Sequence, residues 1–171
     1  QGSGAVSPYE GCKVVTSGVV TALSADGFYL QDPKGDGDDA TSDAIFVHTE
    51  TPPTVKVGDG VQVRGSVTEL TPKGHHKDFL PLTQLRTCSE VKVLSSGNPL
   101  PAAVILGQNG RPIPKGDLDG AIDTFESLEG MRVKIEDAVV IKPSDDGGSF
   151  AVLGDNGRGM TGRTRRGGLV L

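Results

Sequence analysis

The stretch VVTSGVVTALSADGFYLQDPKGDGDDATSDAIFVHT, residues 14–49, decides how this chain folds. Val14 to Leu23 is rich in β-branched residues with Gly18 in its middle, the pattern of a strand bent at a bulge. Ala25-Asp26-Gly27 makes a turn, Phe28 to Gln31 a short strand, Asp32 to Asp43 a polar loop and Ala44 to Thr49 the next strand. Pro52-Pro53 then stops the extended run. Val57-Gly58-Asp59-Gly60 turns into Val61 to Leu70, where Val61, Val63 and Val67 largely alternate. Leu82 to Leu94 completes the set, as a strand pair or one long bent strand. Five short strands cannot bury two faces as a flat sheet, whereas closure into a small barrel removes the edges. The sequence therefore predicts an all-β chain with a five-stranded OB-fold-like barrel over residues 1–98. An immunoglobulin-like sandwich, which needs about seven strands, is the alternative.

Downstream, Ser95 to Gly120 is irregular and rich in Pro and Gly. Residues 99–129 are expected to be a linker, with a short strand within Ala102 to Leu106. One or two helical turns are expected over Ile122 to Leu128, capped by Asp123 or Thr124. Met131 to Ile141, a turn at Pro143 to Gly148, and Ser149 to Leu153 repeat the order long strand, turn, short strand. Residues 130–171 thus read as a second, partial OB-like β module.

Composition agrees with this class. Gly (25) and Pro (11) supply many turns, and the Gly residues follow no triplet period, which excludes collagen. Ala, Glu, Lys and Leu do not dominate, which argues against a helical bundle. The longest apolar runs fall short of the roughly 20 residues a bilayer span requires, so no membrane insertion is expected. A net charge of −5 excludes a strongly basic wrapper of nucleic acid but leaves room for a local basic patch. Arg158, Arg163, Arg165 and Arg166 form such a cluster near the end, spaced by Gly, and clustered Arg suits phosphate contact. The alternative is an exposed connection whose arginines pair with acids such as Asp155. The chain opens at Gln1 rather than Met, as expected of a piece of a longer polypeptide. Cys12 and Cys88 are the two cysteines, and their spacing leaves one bridge or two free thiols open.

Two further constellations carry chemistry. The loop Asp32 to Asp43 holds five Asp in twelve residues. Counted as a calcium loop from Asp32, it puts Asp36 at position 5, Gly37 at 6, Asp38 at 7 and Asp43 at 12. Lys34 at position 3 and strand-like flanks exclude an EF-hand, which leaves an extracellular type of Ca²⁺ site on Asp32, Asp36, Asp38 and Asp43, or a solvated acidic hairpin. On the flanking strands, inward Phe28 and Leu30 send Tyr29 and Gln31 outward, and inward Ile45 and Val47 send Phe46 and His48 outward. Such a face stacks single-stranded bases, unless another part of the chain covers it. His75-His76 with Asp78 is a weaker metal candidate, because adjacent histidines diverge.

The run VVTALSADGFYLQDPKGDGDDATSDAIFV at Val19 to Val47 resembles the OB-like region of bacterial extracellular nucleases. VGDGVQVRGSVT at Val57 to Thr68 and LTQL at Leu82 to Leu85 resemble it too. NPLP at Asn98 to Pro101, FESLEGM at Phe125 to Met131 and DNGRGMTGRTRRGGLVL at Asp155 to Leu171 resemble the segment that follows in those proteins. Their catalytic domain, of the endonuclease/exonuclease/phosphatase type, lies further toward the C-terminus and cuts phosphodiesters with a divalent metal. The resemblance implies a secreted, non-catalytic accessory region that helps position DNA or RNA for that domain. It also favours a Cys12–Cys88 disulfide, as expected of a protein outside the cell. A structural spacer, stabilised by calcium and the disulfide and without nucleic-acid contact, is the rival expectation.

Overall fold

A computed structural model describes residues 2, 4–71, 80–114, 116–144, 149–165 and 168. His75, His76, Asp78 and Arg166 lie outside the described residues. The described chain divides into two compact units, residues 1–103 with 114–132, and residues 104–113 with 133–171.

The first unit is built on five strands: β1 Lys13–Ser24, β2 Gly27–Gln31, β3 Ala44–His48, β4 Gly60–Leu70 and β5 Leu82–Ser95. They close in a ring of order β1-β2-β3-β5-β4, the OB-fold-like architecture expected, with all pairs antiparallel except β3 with β5. Closure depends on the bend in β1. Its first half, to Val19, pairs with β4, and its second half, from Val19, pairs with β2. The register slips between Val20 and Ala22. At Gly18 the Gln31 carbonyl comes so near that a β-carbon would overlap it. The glycine thus admits a close backbone approach where β1 turns from one neighbour to the other.

The interior is small and mostly valine. Val20, Phe28, Leu30, Val47, Val55, Val61, Val63, Val67 and Leu85 form the core, with Ile45 and Cys88 packed against it. Alternation along β2, β3, β4 and β5 puts the core residues of those strands inside and the intervening residues outside.

No disulfide joins Cys12 and Cys88; both are free, which corrects the expected bridge. The reason is the ring order. Val67 N–H donates to the Cys12 carbonyl, so Cys12 lies alongside β4 on its β1 side, while Cys88 belongs to β5 on the other side. Two strand spacings amount to about 10 Å, beyond the roughly 4.4–6.8 Å between α-carbons that a bridge requires. Cys12 is exposed, and burial raises the Cys88 thiol above its usual value. A thiol reagent added to the native protein is expected to modify Cys12 fast and Cys88 at least about tenfold more slowly, since the thiolate is the reactive form. Zero titratable thiols under non-reducing conditions would contradict this reading.

The helix expected at Ile122 to Leu128 runs instead over Leu118–Glu126, as α1. Its N-cap is Asp117, whose carboxylate accepts from Gly120 N–H at 3.0 Å. Gly120 reads as a breaker in sequence, yet here it is the residue that lets the cap carboxylate come close, because a β-carbon there would meet it. The segment 114–132 therefore belongs to the same unit as the ring.

The second unit pairs β6 Val104–Leu106 with β7 Val133–Ile135 in parallel. It also pairs β8 Val139–Lys142 with β9 Ala151–Leu153 antiparallel, followed by a single 3-10 turn at Asp155–Gly157. The expected long strand from Met131 to Ile141 is broken at Asp137, whose φ of 46° takes the chain out of the extended region. Among the described residues no helix is long and apolar enough to cross a membrane.

Candidate functional site

The outward side of the ring carries a cross-strand row. Tyr29 faces Phe46, Phe46 faces Gln84, and Gln84 faces Thr68. The Tyr29 and Phe46 rings are 5.0 Å apart and tilted by 56°, a favourable aromatic arrangement. One step along β3 and β5, His48 Nε2 lies 3.4 Å from Arg86 Nη2 and 3.6 Å from the Asp26 carboxylate. Alternation along Leu82 to Arg86 puts Gln84 and Arg86 on the outward face, and the parallel pairing of β3 with β5 brings them beside these residues. Sequence reasoning overlooked both because neither is aromatic nor part of a charge run.

The row is covered. After α1 the chain crosses β2, β3 and β5 as a strap, residues 127–132. Ser42 Oγ donates to the Glu129 carbonyl at 2.6 Å, and Thr83 N–H donates to the Glu129 carboxylate at 3.3 Å. Arg132 N–H donates to Gln31 Oε1 at 3.0 Å, and the Arg132 guanidinium donates to the Pro101 carbonyl. Gly130, with φ of 73°, passes so close that a β-carbon there would touch the Tyr29 ring and Ala44. Tyr29 and His48 are left half-buried, and Gln31 and Phe46 keep only 3% and 7% of their surface. The four side chains point outward as alternation requires. The open stacking face expected of them is nevertheless replaced by contact with the chain's own strap.

On the same face polar atoms are left unsatisfied. Among the described residues, Gln84 Oε1, Thr68 Oγ1 and His48 Nδ1 are buried without a hydrogen-bond partner. Each such atom costs on the order of 1–3 kcal/mol. The strap also brings carboxylates together. Burial, then the neighbouring Glu126 carboxylate, pushes Glu129 from an ordinary 4.5 up to about 7. Burial also raises Glu126, with Glu69 and Asp123 adding to it. Glu69 is better served, accepting from Ser7 N–H at 2.7 Å and from the Thr83 hydroxyl at 3.1 Å.

The acidic loop solves its crowding with its own backbone. Asp32 accepts from Lys34 N–H, Asp36 from Asp38 N–H, Asp38 from Ala40 N–H and Asp43 from Asp36 N–H, all within 2.8–3.0 Å. The Asp38 N–H, helped by the Thr41 hydroxyl, holds the Asp36 carboxyl below its usual value. Asp32, Asp36 and Asp43 also line a cavity of 290 Å³ at one end of the ring, together with Tyr9, Leu30 and Val67. Asp38 is not part of it. Among the described residues, no three His, Cys, Asp or Glu side chains gather as a metal cluster.

The arginine cluster belongs to the second unit. Arg158, Arg163 and Arg165 are exposed, and Arg163 donates to the Asn156 carbonyl at 2.9 Å. Asp155, the acid that the alternative reading pairs with them, accepts from Gln108 N–H at 3.1 Å. The two units differ in charge. Residues 1–103 with 114–132 hold 10 Lys and Arg against 17 Asp and Glu, a formal −7. Residues 104–113 with 133–171 hold 7 against 5, a formal +2, and the two values return the −5 of the chain.

Residues 93–171 match a protein family described as a domain of unknown function (DUF8508). No curated protein and no solved structure matches the chain.

Proposed function

We propose that this chain is a non-catalytic accessory region of a secreted, metal-dependent nuclease of bacterial type, which positions nucleic acid for a phosphodiesterase domain of the same parent polypeptide. The observation that carries the proposal is the division of charge. The second unit is net basic in an acidic chain, and its arginines 158, 163 and 165 are exposed while Asp155 is engaged by Gln108. The resemblance of both halves to the accessory segments of extracellular nucleases supports it. Phosphate contact falls to these arginines, and the ring serves as scaffold.

A spacer without nucleic-acid contact is the second reading, favoured by the strap over the Tyr29–Phe46 row. Titration of a labelled single strand at low and moderate salt separates the two. The first reading expects weak, salt-sensitive binding. The double variant Arg158→Ala/Arg165→Ala then flattens the slope of log K against log salt by about 1.4, at roughly 0.7 per phosphate contact on single strands. No binding at low ionic strength establishes the spacer.

A further inference from the structure

We propose that the strap, residues 127–132, is a releasable cover over the Tyr29–Phe46–Gln84–Thr68 row, and that a negative charge on Glu129 releases it. Three geometric facts support this. The strap is tied to the ring by hydrogen bonds with Ser42, Thr83 and Gln31, beside the Arg132 bond to the Pro101 carbonyl and the buried Leu128, and none of these ties is a strand pairing. The face near it retains buried acceptors, Gln84 Oε1 and Thr68 Oγ1, that neither the strap nor any other described residue satisfies. Water or a polar ligand satisfies them once the cover lifts, which offsets part of the cost of release. Finally, Thr83 holds two carboxylates at once, its N–H donating to Glu129 at 3.3 Å and its hydroxyl to Glu69 at 3.1 Å, so Glu129 meets like charge from Glu69 on β4 as well as from Glu126 on α1, with Asp123 acting on Glu126. Its favourable neighbour is Thr83 on β5, through the backbone N–H.

The direction follows from proton linkage. Below pH 4.5, the ordinary value, Glu129 is protonated whether the strap is on or off, and docking is strongest. Between 4.5 and about 7 docking takes up a proton, so rising pH weakens it. Above about 7 the carboxylate is charged in both states and the loss is complete. Within that window the slope is at most a factor of about ten per pH unit, the limit for a single proton. Solvent on the exposed side of this half-buried group reduces the total to about tenfold.

Strap release requires no ligand, so its test is independent of the arginine titration. Amide hydrogen exchange, corrected for its intrinsic pH dependence, is followed at Arg132 and Thr83 between pH 5 and 8. Core amides such as Val61 and Val63 serve as the reference for global opening. Protection at Arg132 and Thr83 is expected to fall about tenfold with pH while the core amides hold. Glu129→Gln is expected to keep the protection at pH 8, since its amide oxygen still accepts from Thr83 N–H. Glu126→Gln removes a like charge and is expected to move the midpoint to lower pH. Strap and core amides exchanging together at every pH, or identical profiles for the wild type and Glu129→Gln, would overturn the proposal.

Discussion

Phe28→Ala is expected to destabilise the first unit by about 3–5 kcal/mol, the range for removing a buried aromatic side chain. Phe28 is fully buried and is the largest side chain in a core otherwise made of Val and Leu. The surrounding wall is a ring of strands paired on both sides, so it cannot move inward without breaking backbone hydrogen bonds. The cavity therefore persists, and its cost adds to the lost transfer energy. Tyr29, one residue on, is the control. It is half-buried outside the ring, and Tyr29→Ala is expected to cost about half as much or less. Urea unfolding followed by circular dichroism measures both, since the chain has no Trp to report by fluorescence. Equal losses for the two variants would mean that the ring interior is not the core.

The same two residues show how far the sequence could be read. Period-two alternation on β2 and β3 places Phe28, Leu30, Ile45 and Val47 inside and Tyr29, Gln31, Phe46 and His48 outside; Phe28, Leu30 and Val47 are in the core, and Ile45 packs against it partly buried. The signal is local: a β-branched run, a glycine and a turn are enough to fix a strand and its faces. What covers an outward face is not local. Gln31 meets Arg132 across 101 positions and Ser42 meets Glu129 across 87, and nothing in the spacing of either pair announces contact. The cysteines failed for a related reason. Closure alone does not bring two residues together, because the order β1-β4-β5 puts a strand between them. In the acidic loop, residue type revealed the concentration of charge. Which donors met that charge was hidden, because Asx turns within the loop and a bound cation use the same residues.

The second large effect is expected at Gly27. This glycine opens β2 opposite His48 and is buried. A β-carbon there would collide with the Val47 carbonyl oxygen and with the Phe46 ring. The ring can rotate away, but the carbonyl belongs to a paired strand and cannot. Gly27→Ala is therefore expected to cost about 3 kcal/mol, at the upper end for overpacking. The double variant Gly27→Ala/Phe46→Leu separates the two collisions. If the carbonyl dominates, the smaller side chain recovers less than about 1 kcal/mol of the loss, whereas a ring-dominated clash returns most of it. Displacing Phe46 also disturbs the row beneath the strap, so Gly27→Ala is expected to speed exchange at Arg132 more than at Val63. A Gly27→Ala protein within about 0.5 kcal/mol of wild type, the range of an indifferent surface change, would show that β2 and β3 are spaced more widely at this end of the ring, and the tight packing of Phe46 against the strand would have to be abandoned.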